Sequence, residues 1–559
     1  MRRRKFTKIY IILALFISIG FAYLSTNLNI NGTSMFKSSS WNVYFDNIEV
    51  DSGSVELQSG DSSPTISSDK LTVSYQVTCN NPGDYYKFNI DVVNDGSLNA
   101  KIDSITIPEI PEGYEDNIEF SLKYLDGTNV EEDNVLLAGE KTTFVITTKN
   151  RDDISADQLI SEAITLPMEV SISYTQIKSS DITTATFKTG WEVSTLMNDL
   201  AEKINGVDSN NIKYFLHSET LDDNSNIIST EDSDVPIYMW YEETNEDYQN
   251  TEQYYGIIYW YSEAQVVYLN EDSSFFFNHN LYSHDIYLNE YNEYSEEEEL
   301  ESLEFKNLAD ISGISQINAS SAKNLTSMFD NCSSLTSLSG LEKWNISNVT
   351  TLNFIFNECI NLKSITSIEN WDVSSVIYMN DMFLDCKCIS SLTSLSNWDV
   401  SSVEYMSGTF WGCSSLTSLT GIESWDVSNV IYLEYLFNYC SNLTSLSSIS
   451  NWDVSSANTT EHMFGYCTSL TSLTGLENWD VSSVTTMVNM FFYCTNLSSL
   501  SSISNWDVSN VTNMNYMFSF CRSLLDATEI EDWGTRLNPN LTYASMFSSY
   551  TPTRPSWYV

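Results

Sequence analysis

A 27-residue period, carried by whole columns of identical side chains, constrains the fold of this chain more than any other feature. The tryptophan column comprises Trp344, Trp371, Trp398, Trp425, Trp452, Trp479, Trp506 and Trp533. The cysteine column comprises Cys332, Cys359, Cys386, Cys413, Cys440, Cys467, Cys494 and Cys521. A phenylalanine column runs from Phe329 to Phe518 at the same spacing. Because these steps contain no insertion, each 27-residue coil is expected to stack on the next one in register.

The pattern inside one coil predicts a strand, a capped turn and a short helix. In the coil 470–494, three leucines lie three residues apart, as in the strand and turn of a leucine-rich repeat. Apolar residues then follow at the spacing of one helix face, namely Val484, Met487, Met490, Phe491 and Cys494. Asp480 or Ser482 stands at the N-cap position of that helix. The repeats are therefore predicted to form a leucine-rich-repeat-like α/β solenoid.

Length and composition predict a multidomain protein. Residues 1–24 are predicted to be a signal peptide or membrane anchor, and 41–176 a β-sandwich domain. A small α+β unit, 184–307, is expected to cap the repeats, with a helix over 191–204 and a hairpin within 257–269. The acidic segment 293–304 is expected to be a solvated surface. The solenoid is assigned to 308–550, with about nine coils and degenerate copies at its two ends.

The repeated pattern LTSLxxLxNWDVSSVTxMxxMFxxC resembles the BspA-like leucine-rich-repeat surface proteins of bacteria, in the variant with a 26 to 27 residue coil. The segments 236–240 and 258–262 are similar to the region that commonly introduces such repeats. The resemblance implies a surface adhesin or host-contact protein. No catalytic motif accompanies that family.

Residues 41–176 carry the alternation that is typical of strands. Segments such as 71–77, 86–93, 144–147 and 170–174 are separated by turn clusters such as 80–84, and this spacing predicts an all-β sandwich. The runs 21–25 and 91–97 are similar to TasA/camelysin-type exported proteins. That resemblance implies an extracellular fibre or a protease, but no histidine occurs before His217, so the region contains no zinc-ligand pattern.

The N-terminus and the charge indicate where the protein works. A basic start, Met1 to Lys5, precedes an uncharged apolar run from Ile9 to Leu24, which fits a cleaved secretory signal or an uncleaved anchor. Both alternatives place the remainder outside a bacterial cell, secreted or at its surface, with membrane contact only through an uncleaved N-terminal segment. The net charge of −50 argues against nucleic acid as a partner because phosphates would be repelled.

Candidate chemistry is sparse, so the sequence predicts no enzyme, no cofactor and no metal site. The cysteine column is expected to hold buried thiols rather than disulfides, because neighbouring Cβ vectors would be parallel. The aspartates of the repeated Trp-Asp pair offer too few oxygens for a calcium ladder, and they are expected to cap turns. The four histidines, His217, His279, His284 and His462, form no ligand-spaced pair.

One feature remains that the repeat core does not explain. Two residues after each column phenylalanine, polar residues give way to four consecutive aromatic residues. The candidate binding residues are these four with two neighbours: Trp411, Tyr439, Tyr466, Phe492, Tyr493 and Phe520. Such a stripe suits stacking on sugars or contact with a protein, and the alternative is that the rings only pack on one another. The function predicted is adhesion to an extracellular protein or carbohydrate, and the alternative is a structural matrix or fibre component.

Overall fold

The computed structural model divides the chain into two compact units, Met1–Asp181 and Ile182–Val559. The residues it describes are 42–51, 53–58, 60–108, 110, 114–125, 127–132, 134–153, 164–177, 182–205, 211–248, 251–279, 303–547 and 553–559. The predicted export segment, most of the acidic segment 293–304 and His284 lie outside these residues.

The first unit consists of two antiparallel sheets. One has the order β1 (Val43–Val50), β4 (Tyr85–Asn94), β8 (Lys141–Asn150), β6 (Ile118–Tyr124). The other has the order β2 (Ser62–Ile66), β3 (Thr72–Cys79), β9 (Ile164–Ile177), β5 (Asn99–Thr106), β7 (Val135–Leu136). Side chains from both sheets share one apolar core, so the arrangement is the β-sandwich-like one that the alternation predicted.

The strand β4 illustrates why this region forms sheets. Tyr86, Phe88 and Ile90 alternate with residues that face away, and each is nearly fully buried. The strand pairs with β1 on one side and β8 on the other, so its backbone is hydrogen-bonded to two neighbours while one face enters the core. Tyr75 of β3 reaches across and its hydroxyl shares a buried 2.7 Å hydrogen bond with Thr148 of β8.

The second unit begins with a mixed α/β region. Its elements are β10 (Thr184–Thr186), α1 (Gly190–Asn205), β11 (Ile212–His217), β12 (Asn226–Ile227), β13 (Ile237–Tyr248), β14 (Thr251–Ser262), β15 (Val266–Tyr268), β16 (Asn278–His279), β17 (Leu303–Glu304) and β18 (Ile317–Asn318). The helix prediction is confirmed, and a capping box starts α1: the backbone N–H of Thr189 donates to Glu192 Oε2, and that of Glu192 donates to Thr189 Oγ1.

The hairpin predicted within 257–269 is wrong. The long antiparallel pair is β13 with β14, from Ile237 opposite Ser262 to Tyr248 opposite Thr251. β15 instead pairs in parallel with β10 and with β18. The bridges between the repeats that follow are parallel as well.

The predicted α/β solenoid is also wrong. Between Ala319 and Phe547 the structure, which describes every residue there, contains neither an α-helix nor a strand. The 27-residue coils are built from turns, with short 3-10 helices at Thr366–Ile368, Thr393–Leu395, Ser447–Ile449 and Ser501–Ile503 and a longer one at Thr528–Thr535. Single parallel bridges join successive coils, through Asn324, Thr351, Tyr378, Tyr405, Tyr432, Thr459, Thr486, Asn513 and Thr542. We call residues 319–547 the repeat stack.

Hydrogen bonding between coils explains why the helix-like pattern gives no helix. Alternate backbone N–H groups donate to the next coil: Met379 to Tyr405 O at 2.8 Å, Asp381 to Ser407 O at 2.8 Å, Phe383 to Thr409 O at 2.9 Å and Asp385 to Trp411 O at 2.7 Å. An α-helix would direct every N–H group to the carbonyl four residues earlier. Asp381 and Asp385 also have a φ of 54°, in the left-handed region that a right-handed helix excludes.

The invariant columns are part of the same inter-coil bonding. Each tryptophan of the column is buried, and its Nε1 donates to a backbone carbonyl of the preceding coil, as in Trp425 to Leu395 O at 3.0 Å. Each column cysteine is buried as predicted. From Cys359 onward its Sγ contacts a carbonyl of the preceding coil, as in Cys440 to Phe410 O at 3.2 Å, whereas that of Cys332 contacts Phe277 O, before the repeats. These side chains therefore satisfy polar backbone atoms that the turns leave inside the stack.

Both ends of the repeat stack are covered by irregular segments. At the first coil, Phe277 stacks on Phe329 with ring centroids 5.3 Å apart, and Asp272 bridges to Asn324. At the last coil, Trp557 stacks on Trp533 and its Nε1 donates to Ile530 O at 3.1 Å. Trp557 thus extends the tryptophan column although it lies off the 27-residue period. The apolar ends of the stack are shielded by these contacts.

Candidate functional site: an aromatic row on the repeat stack

One column of the repeat stack holds an unusual combination of backbone and side chain. We call it the outer column: Asn331, Glu358, Asp385, Gly412, Tyr439, Tyr466, Tyr493 and Phe520. Every member has a φ between 53° and 74°. Asparagine and glycine tolerate this left-handed region, whereas other L-residues adopt it at a cost of about 1–2 kcal/mol. The four aromatic members are therefore not explained by the backbone that they occupy.

The four rings form a continuous file, which we call the aromatic row. Tyr439 and Tyr466 stack with centroids 4.0 Å apart, Tyr466 and Tyr493 at 5.2 Å, and Tyr493 and Phe520 lie 5.5 Å apart in a tilted pair. Phe492 joins the row edge-on, 5.3 Å from Tyr466. Each such pair contributes about 0.5–1.5 kcal/mol, enough to offset much of the backbone cost.

Trp411, the remaining candidate, belongs to a different cluster. Its ring stacks on Tyr435 at 4.9 Å, and Tyr435 stacks on His462 at 4.7 Å. His462 Nε2 lies 2.8 Å from Asn489 Nδ2 and accepts its hydrogen bond. Burial lowers the pKa of His462, so the ring is neutral and acts as a flat stacking surface rather than as a cation.

This second file is not evident as a column in the sequence because consecutive members differ in residue type. Tyr435, His462 and Asn489 occupy successive coils at 27-residue spacing, four residues before the outer column, and they too have left-handed backbones. The available signal was Gly408, which stands in the same file and in the same coil as Gly412. Two glycines four residues apart in one coil mark two left-handed positions.

A third file of rings follows the bridges between coils. Tyr378 stacks on Tyr405 at 4.8 Å, and Tyr405 stacks on Tyr432 at 5.1 Å. We call these three residues the bridge ladder. Tyr378 is among the exposed large side chains, and threonine occupies the same position in neighbouring coils, at Thr351 and Thr459. The ladder therefore provides a second surface of rings that can be changed without altering the coil.

Two carboxyl groups, Asp381 and Asp385, lie in the coil two periods before Tyr439, where the outer column is still polar. Burial raises the pKa of Asp381 to about 7. Asp385 Oδ2 lies 3.5 Å from Lys387 Nζ, in a partly exposed ion pair. Burial and a hydrogen bond to Tyr466 raise the pKa of Tyr439 to about 12, so its phenol is neutral at ordinary pH. The rings of the aromatic row are therefore neutral, and the two carboxyl groups are a half-protonated one at about pH 7 and an ion-paired carboxylate.

The aspartates of the Trp-Asp pairs serve the turns. Asp372, Asp399, Asp426, Asp453, Asp480 and Asp507 each accept a hydrogen bond from the backbone N–H two residues later, at 3.0–3.1 Å. The predicted turn cap is confirmed, although no helix follows it. Among the described residues no group of three or more His, Cys, Asp or Glu side chains could hold a metal ion.

Burial also controls the column thiols. It raises the pKa of Cys494 to about 12, and that of its neighbours in the column rises in the same direction. These cysteines therefore stay protonated and are poor nucleophiles. In the part of the chain that the structure describes, no helix is long and apolar enough to span a membrane.

The comparisons with known proteins concern the repeats. A family model described as "Mycoplasma protein of unknown function, DUF285" matches three successive stretches, 301–392, 387–475 and 471–552. Together the three matches cover the repeat stack and its two ends, so the repeats are similar to those of that family. No curated protein matches the chain.

Proposed function

We propose that the chain is an exported, surface-exposed binding protein whose aromatic row contacts an extracellular glycan. The observation that carries the proposal is the row itself: Tyr439, Tyr466, Tyr493 and Phe520 keep aromatic side chains at left-handed positions where asparagine or glycine would be less strained. Tyr439 is 44% exposed at one end of the row. An aromatic row that only filled space would not need an uncovered ring there.

The chemistry around the row favours a glycan. Neutral rings give flat apolar surfaces that suit stacking on the apolar face of a sugar. The net charge of −50 disfavours anionic partners such as nucleic acids. The basic start and apolar run at the N-terminus support export, because both are features of secretory signals and anchors.

A glycan array probed with the full chain tests the proposal. The row variant replaces Tyr439, Tyr466, Tyr493 and Phe520 with asparagine, which the outer column already carries at Asn331 with a φ of 61°. The matched control replaces the bridge ladder, Tyr378, Tyr405 and Tyr432, with the threonine found in neighbouring coils. We expect the row variant to lose glycan binding and the ladder variant to retain it.

Two outcomes would contradict the proposal. One is a wild-type protein that binds no glycan on the array but captures an extracellular protein, which would make the row a protein contact. The other is equal glycan binding by the wild type and the row variant. Thermal unfolding of both variants checks that the repeat stack is intact.

A further inference from the structure

The bridge ladder belongs to a face of the repeat stack that carries a second column of side chains. These side chains lie two residues after each bridge residue and point to the same side, because the residue between them is buried, as Leu433 is between Tyr432 and Glu434. We call the bridge column and this second column together the bridge face. Amide and hydroxyl side chains occupy the early coils of the second column, and Glu434 and Glu461 follow them.

Ring spacings indicate that the bridge face is the inner side of a curved stack. Successive tyrosines of the bridge ladder have centroids 4.8 and 5.1 Å apart. Successive rings are 5.6–5.8 Å apart in the phenylalanine column and 6.4–6.5 Å apart in the tryptophan column. Because the same coils span a shorter distance at the bridges than at the tryptophans, the stack bends toward the bridge face. A concave surface encloses an extended partner more completely than a flat one.

The charge of this part of the stack has a single sign. Residues 388–521 contain at least one Asp or Glu in every coil and no Lys or Arg. Three of their carboxyl groups lie on or beside the bridge face, namely those of Glu404, Glu434 and Glu461. Among the residues that the structure describes, none of the three has an ion-pair partner. A concave surface lined by one sign of charge focuses its field on the space in front of it.

The carboxyl groups also interact with one another and with the ladder. Glu434 Oε2 accepts a 2.8 Å hydrogen bond from Ser407 Oγ of the preceding coil. Burial and the charge of Glu434 raise the pKa of Glu461, and burial, the neighbouring phenols and Glu404 raise that of Tyr405. The charge contributions to both shifts are repulsive because these side chains lack a nearby cation. A cationic partner would relieve this repulsion, whereas a neutral partner would not.

We propose that the bridge face docks a basic segment of an extracellular protein, whose arginine or lysine side chains reach Glu404, Glu434 and Glu461. The methylene stems of these side chains would pack on the exposed edges of the tyrosine rings, and their charged ends would donate to the carboxylates. Tyr378 is 39% exposed, so the ladder offers apolar area to the stems. This surface is separate from the aromatic row, and the inference does not rest on glycan binding.

Two triple variants separate the position of the charges from their number. The bridge variant combines three substitutions on the bridge face, Glu404→Gln, Glu434→Gln and Glu461→Gln. The control variant changes three glutamates that lie two residues before column tryptophans, Glu369→Gln, Glu423→Gln and Glu477→Gln. Both variants remove three negative charges from the same stack, and glutamine keeps an acceptor oxygen for the hydrogen bonds that these side chains accept.

The probe is a fluorescein-labelled peptide, Gly-Arg-Gly-Arg-Gly-Arg-Gly, in which extended backbone directs all three arginines to one side. Its binding to the full chain is followed by fluorescence anisotropy at about 20 mM salt, where charge attraction is weakly screened. We expect a Kd below about 1 mM for the wild type. The bridge variant should bind at least about tenfold more weakly, and the control variant within about twofold of the wild type.

Two further measurements check the chemistry of the contact. A peptide with citrulline in place of arginine keeps the stems and loses the charges, so it should bind at least about tenfold more weakly than the arginine peptide. The ladder variant, with threonine at Tyr378, Tyr405 and Tyr432, should bind the arginine peptide about fivefold more weakly because the stems lose their apolar contact. Thermal unfolding of each variant checks that the stack is intact.

Several results would overturn the inference. Equal affinity of the bridge and control variants would mean that the charges act only through the net charge of the chain. A citrulline peptide that binds as tightly as the arginine peptide, or a ladder variant that binds like the wild type, would also contradict it. If the wild type binds no arginine peptide but keeps its signal on the glycan array, the basic segment is rejected and the proposed function stands.

Discussion

The β-sandwich-like unit and the repeat stack obtain their order in different ways. In the sandwich, a ten-residue strand such as β4 is held along its whole length by two neighbouring strands. In the repeat stack, no coil contains a strand or an α-helix, and successive coils are joined by single bridges and alternate N–H groups. Side-chain alternation therefore reveals the elements of the first region, whereas in the second region only the period between coils is informative.

Deletions of parts of the chain test this difference between the two regions with the largest expected effect. Removing residues 378–404, one full period, joins coils that are already in register, so we expect a folded protein with a Tm within about 5 °C of the wild type. Removing only 378–390 shifts all later columns and should abolish cooperative unfolding of the repeat stack. Removing β8 from the sandwich should unfold that unit because two strands lose their partner. A tolerated half-period deletion would contradict the account.

Glycines with a positive φ allow the packing of the two regions to be compared at single residues. Gly475 has a φ of 112°, and an added Cβ would collide with Leu446 O of the preceding coil. Gly127 in the sandwich has a φ of 89° and nothing within 4 Å of its added Cβ. We expect Gly475→Ala to cost about 3–4 kcal/mol and Gly127→Ala about 1–2 kcal/mol in urea unfolding. Equal costs would mean that the coils are not closely packed at this turn.

The smallest expected effect concerns pH. Hydrogen bonds lower the pKa of Asp69 in the sandwich, whereas burial raises that of Asp381 in the repeat stack to about 7. Asp381 binds its proton more tightly in the folded protein than in the unfolded chain. Its contribution to the free energy of unfolding is therefore fully present below the ordinary aspartate pKa and is lost as the pH rises to about 7. Asp381→Asn should therefore stabilise the stack at about pH 8 by roughly 1–3 kcal/mol and have little effect near pH 4. A stabilisation of equal size at both pH values would contradict this assignment.

Residue patterns predicted the period, the buried columns and the strands of the sandwich, but not the structure inside a coil. The spacing of Val484, Met487 and Met490 fits a helix face, and a chain of tight turns also directs about one residue in three inward. A helix and a chain of turns differ in the carbonyl groups to which the backbone N–H groups donate, and no residue type specifies that choice. The aromatic row is visible in the sequence because four consecutive coils carry an aromatic residue at the same position. The sequence does not show that Trp411 lies apart from the row, because its ring turns toward Tyr435 across Gly408.

Backbone hydrogen bonds are formed both between coils and, in the turns, within a coil. The central claim is that the bonds between coils contribute more to the order of the surface that carries the aromatic row. Residue-resolved hydrogen exchange of the full chain tests it most directly. We expect the amides of Met379, Asp381, Phe383 and Asp385, which donate to the next coil, to exchange at least about tenfold more slowly than that of Leu384, which donates to Asp381 O within its own coil at 3.2 Å. Uniform protection of consecutive amides over this segment, as in an α-helix, would contradict the claim.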